Sequence, residues 1–368
     1  MSGKSKPFLT IAIPVYNGES ALAPMLASLD GQDWSLFEVR FGDDGSTDGT
    51  PDVLAGFAAG HPGRVFASRH DNMGPGPTRN RLLAQAEGDY IWFCDADDEL
   101  APGCIARIAE ILRATPVDMM ALCYCDKPDD ASGALLSLDP VPIAKERFLA
   151  VVPGATVAKV SRTEFLRGNG IAFSECRIGE DFVFTMEAAC RCESVLFWYA
   201  RPYWVARRDG SLSGTVDDRF CEGILDALRR MDAVAARFPR YRMEVGVQRF
   251  DLAAYFLHRV RDDASPEMQE KWLPTARDAL RSMVEAWDNP LLRIVRSFQR
   301  KENEAVWRER AALRREQAAL RRERALLDSL SWRVTAPLRS LLDFLARMRR
   351  RPGGSSPPLP PPSTESQP

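Results

Sequence analysis

The chain has 368 residues, 45% of them hydrophobic, and 49 Lys/Arg against 51 Asp/Glu give it a net charge of −2. That is apolar material enough to bury a sizeable core in two folded units plus extensions. No run approaches eighteen apolar residues, and Met1-Ser2-Gly3-Lys4-Ser5-Lys6 contains no apolar signal region, which argues against a spanning helix and a secretory leader. Eight cysteines without a Cys-x-x-Cys pair, and three histidines, argue against the usual zinc sites and suit a reducing cytoplasm.

In chain order, Leu9 to Asn17 reads as a first strand, with Pro14 marking where ladder pairing stops. Leu22, Leu26 and Leu29 recur at helical spacing, and Phe37-Glu38-Val39-Arg40-Phe41 alternates as a strand that runs into Gly42-Asp43-Asp44-Gly45-Ser46-Thr47-Asp48. Val65 to Ser68 is a third strand, and Leu82, Leu83 and Ala86 mark a helix expected to end at Gly88 as its C′ residue. Tyr90-Ile91-Trp92-Phe93-Cys94 is a buried-type strand that delivers Asp95, Asp97 and Asp98 within four residues. Alternating strands and helices predict an α/β fold with a doubly wound, mostly parallel sheet, and each acidic cluster falls where a strand should end. Open sheets of this kind place ligands at strand carboxyl ends. Carboxylates this close raise one another's pKa unless a cation sits among them, and a hard divalent ion shared with nucleotide phosphates is the natural neutraliser.

Ile13-Pro14-Val15-Tyr16-Asn17, Asp43-Asp44-Gly45-Ser46-Thr47-Asp48, Asn72-Met73-Gly74, Arg79-Asn80 and Asp95-Ala96-Asp97-Asp98 follow in an order that resembles the nucleotide-sugar half of family 2 glycosyltransferases, inverting enzymes of the GT-A fold. Ile178-Gly179-Glu180-Asp181-Phe182 is similar to the family's glutamate–aspartate motif, and Tyr203 to Ser211, with Arg207 and Arg208, to its basic closing loop. The resemblance covers roughly residues 8–215.

It implies a metal-dependent transfer of sugar from a nucleoside-diphosphate donor to a glycan or lipid-linked acceptor in bacterial surface-polysaccharide synthesis. It also implies Asp97, then Asp98, as ligands of Mn2+ or Mg2+, which would act as Lewis acid and template for the diphosphate. Asp95 would meet sugar or ribose hydroxyls, Asp44 the base or ribose, and the backbone around Pro14 and Tyr16 the base. For Tyr16 an ordinary strand-end aromatic is an equal reading. Asp181 is implied as the general base, with Glu180 as the runner-up; the pair also suits a helix amino terminus, where carboxylates favour the macrodipole. One of Arg207 and Arg208 would clamp diphosphate in a lid, and Arg79 is a second nucleotide-side candidate.

The competing readings are a haloacid-dehalogenase-like phosphatase, whose nucleophilic aspartate is replaced here by Gly42, and a non-catalytic nucleotide-sugar scaffold that oligomerises at the membrane.

Residues 1–215 therefore form the expected catalytic domain and 216–290 a helical subdomain, with stripes Ile224, Leu225, Leu228, Met231 and Phe250, Ala254, Leu257. Leu291 to Arg351 carries 17 Lys/Arg and 7 Asp/Glu, net +10, which leaves the remainder at −12. Within it, 291–329 repeats in sevens, with Val306, Leu313, Leu320 and Leu327 one heptad apart, and reads as a coiled coil for self-association or as a single solvated helix. Residues 330–351 form a basic amphipathic helix for an anionic membrane surface or for docking on the protein itself. Residues 352–368 are expected to be a disordered Pro/Ser-rich end. The expected location is the inner face of the cell membrane, peripherally bound, and no nucleic-acid reader is recognisable.

Overall fold

The computed structural model describes residues 6–128, 134, 136–151, 154–176, 178–206 and 215–286. The heptad segment, the basic helix, the Pro/Ser-rich end and the loop holding Arg207 and Arg208 lie outside the described residues.

The elements alternate as anticipated: β1 (Leu9–Val15), α1 (Ala23–Asp30), β2 (Phe37–Asp43), α2 (Thr50–Gly60), β3 (Val65–Arg69), α3 (Pro75–Gln85) and β4 (Tyr90–Phe93). Then come β5 (Glu99–Leu100), α4 (Cys104–Ala114), β6 (Met119–Asp126), β7 (Val141–Pro142), α5 (Lys145–Val151), β8 (Lys159–Arg162) and α6 (Thr163–Gly168). α7 (Glu180–Arg191), β9 (Val195–Val205), α8 (Asp218–Arg237), α9 (Arg242–Asp262) and α10 (Pro266–Ala286) complete the described chain. Proline stands in the first turn of α1, α2 and α3, where its missing N–H costs no helical bond.

Among the described residues the strands form one nine-stranded mixed sheet, ordered β3-β2-β1-β4-β8-β6-β9-β5, with β7 added on β9. β1 pairs in parallel with β2 and β4, β2 with β3, and β6 with β9, whereas β8 runs antiparallel between β4 and β6. The chain leaves β1 for β2 and β3 on one side, then crosses to β4 on the other. The crevice between the carboxyl ends of β1 and β4 is therefore a topological switch point, where such sheets bind ligands.

β1 continues in register to Val15 opposite Asp43, while its pairing with β4 ends at Ala12 opposite Phe93. Pro14 thus lies within the ladder on the β2 side and two residues beyond its end on the β4 side. Gly88 departs from expectation too: α3 ends at Gln85 with Ala86 as its cap, and Gly88 has no positive φ. A Cβ there would lie 2.5 Å from the Thr10 amide nitrogen, so the glycine permits close backbone approach to β1.

One face of the sheet buries Leu9, Ile11, Ile13, Phe37, Val39 and Trp92 beneath α1, α2 and α4. The other buries Ala12, Ile91, Phe93 and Ala121 in a core that continues through Phe184, Phe220, Ile224, Leu252 and Phe256 of α7, α8 and α9. The helices after residue 217 share a core with the sheet, and residues through Ala286 form one compact unit. Among the described residues no helix is long and apolar enough to cross a membrane.

Candidate active site

At the ends of β1 and β2 three loops are laced together by backbone amides and short polar side chains. The Asp44 amide donates to the Val15 carbonyl at 2.8 Å, and Asp44 Oδ1 and Oδ2 accept from the amides of Met73 and Gly74 at 2.7 and 2.9 Å. Asp43 Oδ1 accepts from the Ser46 amide at 2.9 Å, and Asn17, at φ +49°, accepts from the Thr47 amide at 2.8 Å. Asp44 is thereby the clamp that sets the head of α3 against β2. Both its oxygens hold protein amides. Pro14 lies opposite Gly42 within the ladder, and Tyr16 is exposed just beyond the strand.

α3 then delivers Arg79 into the switch-point crevice. Arg79 is 6% exposed, and its guanidinium donates through Nη1 to Glu180 Oε1 at 2.7 Å and through Nη2 to Asp95 Oδ1 at 2.8 Å. The Phe173 ring lies under it at 5.5 Å. Burial opposes the charge, but Asp95, Glu180 and Asp181 outweigh it, so Arg79 stays protonated. One cation thus joins the acidic turn after β4 to the acidic turn that opens α7. A planar guanidinium suits this task because its fork reaches two carboxylates at once.

The acidic turn is anchored from the far side by β9. The Tyr203 hydroxyl accepts the Asp95 amide at 2.8 Å and donates to Asp98 Oδ2 at 2.6 Å, while the Ala206 amide donates to Asp98 Oδ1 at 2.8 Å. Asp98 is 4% exposed, and burial pushes its carboxyl up to about 7 despite those hydrogen bonds. Asp95 has a 43% exposed side chain and Asp97 is half-buried. The three acids thus split by environment: Asp98 is buried in a protein network and the other two face more open surroundings.

Glu180 and Asp181 open α7 after Gly179, which holds a left-handed φ of +82°. Burial raises both carboxyls and Arg79 counteracts it; Asp95 pushes Asp181 further up and Lys159 pulls it down. Lys159, on β8 opposite Ala121, is 3% exposed and donates to the Ala155 carbonyl at 2.7 Å. Burial depresses its ammonium to about 7 although Asp181 opposes the shift. Tyr124, near the carboxyl end of β6, is raised by burial and then by Asp181.

The structure brings Arg79, Asp95 and Glu180 into direct contact and places Asp181 within electrostatic reach of Arg79 and Asp95. The Asp44 carboxylate meets instead the Met73 and Gly74 amides at the head of α3. Sequence reading treated Tyr203 merely as the start of a loop segment and passed over Lys159 and Tyr124. The signal for Lys159 was a lone lysine inside Val157-Ala158-Lys159-Val160, where a buried strand has no ordinary use for a charge.

This geometry, acids at the ends of β2 and β4 and a buried arginine joining the β4 turn to an acidic helix start, has a counterpart in known proteins. Residues 10–134 match the family described as Glycosyl transferase family 2. The chain carries a glycosyl transferase family 2 domain. Over 207 residues, 55% of this chain, it is 28% identical to the poly(ribitol-phosphate) beta-N-acetylglucosaminyltransferase TarS of Staphylococcus aureus, covering 36% of that protein. Over 251 residues, 62% of this chain, it is 26% identical to a poly(ribitol-phosphate) beta-glucosyltransferase of Bacillus spizizenii, covering 38% of it. The match thus spans little more than a third of either relative. The crystal structure of S. aureus TarS 1–349 in complex with UDP-GlcNAc superposes with a TM-score of 0.53 at 21% identity, over 76% of this chain and 90% of that one. The family 2 domain therefore has the mixed, mostly parallel sheet of a GT-A fold.

Among the described residues no three His, Cys, Asp or Glu side chains converge as a protein-only metal cage. A family 2 domain does not need one if the ion takes one or two carboxylates and completes its shell with water and donor phosphates. Asp95, whose Oδ1 meets Arg79 and whose side chain is partly open, and the half-buried Asp97 fit that requirement. Asp98 fits it less well, because Tyr203 and Ala206 hold its two oxygens.

Proposed function

We propose that the protein is a metal-dependent inverting glycosyltransferase that moves a sugar from a nucleoside-diphosphate donor to a glycan or lipid-linked acceptor of a bacterial surface polymer. The observation that carries the reading is the Asp95–Arg79–Glu180 bridge, which holds the acidic donor-side turn and the Glu180-Asp181 helix start around one crevice. The family 2 domain and relatives named for sugar transfer to poly(ribitol phosphate) support it.

The donor lies at the switch point, its nucleoside against the backbone beside Pro14 and Tyr16 and the loop clamped by Asp44. Asp97, with Asp95, would hold a Mn2+ or Mg2+ ion, which supplies positive charge to the departing diphosphate. Asp181 accepts the proton of the acceptor hydroxyl as that oxygen bonds to the anomeric carbon and the bond to diphosphate breaks on the opposite side. Configuration at that carbon inverts. Arg79 holds Glu180 and Asp95 in place, and Lys159 favours the ionised form of Asp181. Arg207 or Arg208 closes on diphosphate from the loop after β9.

In this reading residues 1–215 catalyse, 216–290 shape the acceptor side, 291–329 self-associate through the heptad seam, and 330–351 meet the inner membrane surface. The support for the last two is the sequence pattern alone.

The test is a panel of UDP- and GDP-sugars scored for thermal stabilisation and nucleoside-diphosphate release, with and without Mn2+ or Mg2+. Stabilisation that needs both donor and ion, followed by release, is expected from mass action. A panel without stabilisation or release overturns the reading. Stabilisation without release favours the non-catalytic scaffold.

A further inference from the structure

The transferase reading leaves the acceptor undefined, and one large exposed side chain near the end of β6 has no assigned work. β6 is fully buried from Met119 to Leu122 and then opens, leaving Tyr124 41% exposed. The strand loses register with β9 just before this point: Leu122 lies opposite Trp198, whereas Tyr124 lies opposite Tyr203, so five residues of β9 pass two of β6. Such an irregularity re-aims the side chains that follow it.

The consequence is a specific placement. Tyr124 stands next in the sheet to Tyr203, whose hydroxyl holds the Asp95 amide and Asp98. Its phenol also feels the Asp181 carboxylate. An exposed aromatic therefore stands on the strand next to the one that anchors the acidic donor-side turn, within electrostatic reach of the proposed base. An acceptor hydroxyl must come within hydrogen-bond reach of that base, and Tyr124 offers an exposed ring within that base's electrostatic reach.

We propose that Tyr124 is the acceptor platform of this enzyme and that the acceptor presents a ring-form sugar, whose C–H face lies on the aromatic ring while one hydroxyl points to Asp181. The assignment rests on the transferase reading above. An aromatic ring offers broad apolar contact with few torsions to freeze, and its polar tip stays hydrated. The flat hydrocarbon face of a pyranose matches that surface. An open-chain polyol phosphate brings instead a charged group that wants a cation, and the Lys159 ammonium, which interacts with Asp181, is buried on the Ala155 carbonyl.

The experiment compares wild type with Tyr124→Phe, Tyr124→Leu and Tyr124→Ala. Octyl glycosides of glucose, N-acetylglucosamine and N-acetylgalactosamine serve as ring-form probes and poly(ribitol phosphate) as the open-chain probe, with the donor that best stabilises the protein. Folding is checked by the thermal midpoint of each variant. Expected is acceptor-stimulated diphosphate release with a glycoside. Its half-saturating concentration should rise about tenfold in the Leu and Ala variants, the effect of truncating a central aromatic contact. Phe should restore it, and half-saturation by donor should stay as in wild type. Equal half-saturation in wild type, Leu and Ala variants overturns the assignment, as does stimulation by poly(ribitol phosphate) alone. Loss of donor-dependent release in wild type with every probe overturns the transferase reading and this assignment with it. Donor turnover with an unmoved acceptor constant overturns this assignment alone.

Discussion

Arg79 Nη1 lies 2.7 Å from Glu180 Oε1 across a sequence separation of 101 residues, and both side chains are buried. The other arm of the same guanidinium holds Asp95. Removing one partner of a buried pair leaves an uncompensated charge, at a cost of about 3–5 kcal/mol. Arg79→Ala should lose that much in urea unfolding, and Arg79→Lys should recover only part, because an ammonium cannot span both acids as a fork does. Lysine equal to wild type would contradict the two-armed role.

Tyr203→Phe isolates the other anchor of the acidic turn. It removes the hydroxyl that accepts from the Asp95 amide and donates to the buried Asp98 in the turn after β4. Each unsatisfied buried group costs about 1–3 kcal/mol, so a loss of about 2–4 kcal/mol is expected in the same unfolding measurement. A variant within ~0.5 kcal/mol of wild type would show the network to be dispensable.

Gly76→Ala tests how α3 is docked. A Cβ there would lie 2.3 Å from the Ser174 carbonyl oxygen and 3.4 Å from Glu180 Cγ. Neither side can yield without moving the segment that leads to the Glu180-Asp181 helix start. Overpacking of this kind costs about 1–3 kcal/mol, and the thermal midpoint should fall accordingly. A midpoint at or above that of wild type would refute so close an approach.

The Lys159 ammonium makes stability depend on alkaline pH. Its folded value is lowered from 10.5 to about 7, so between those limits the unfolded chain binds the extra proton and stability rises with pH. Below about 7 both states carry the charge and its burial cost is complete. Lys159→Met should therefore be more stable than wild type near pH 7, with the gap closing towards pH 10, as read by urea unfolding across that range. Parallel curves for the two proteins would contradict a buried, depressed lysine. The same substitution should weaken transfer on the acid side, since Asp181 loses a cation that favours its ionised form.

Much of the donor half was legible from local pattern. Strand β4 is a short apolar run closed by Asp95, Asp97 and Asp98, and period and turn chemistry are local properties. The α/β alternation and the helix opening at Glu180-Asp181 were readable for the same reason. What separates Asp98 from Asp97 was not readable. Their difference is burial against Tyr203, which lies 105 residues downstream on a strand whose register shifts just before it. The Arg79–Glu180 contact is equally non-local, and an arginine at a helix start looks like a surface residue until the partner arrives. Gly88 was misread as a helix terminator because a glycine after an apolar stripe carries the same local signal whether it ends the helix or lets β1 pass close by.

The most direct test of the account is nucleoside-diphosphate release by Asp181→Asn beside its donor affinity. Asparagine keeps the shape and one acceptor oxygen but cannot take the proton, so release in the presence of acceptor should fall by about 10²–10⁴ while donor binding stays within a few-fold. Turnover within tenfold of wild type, with donor still bound, would contradict Asp181 as the base around which the site is read.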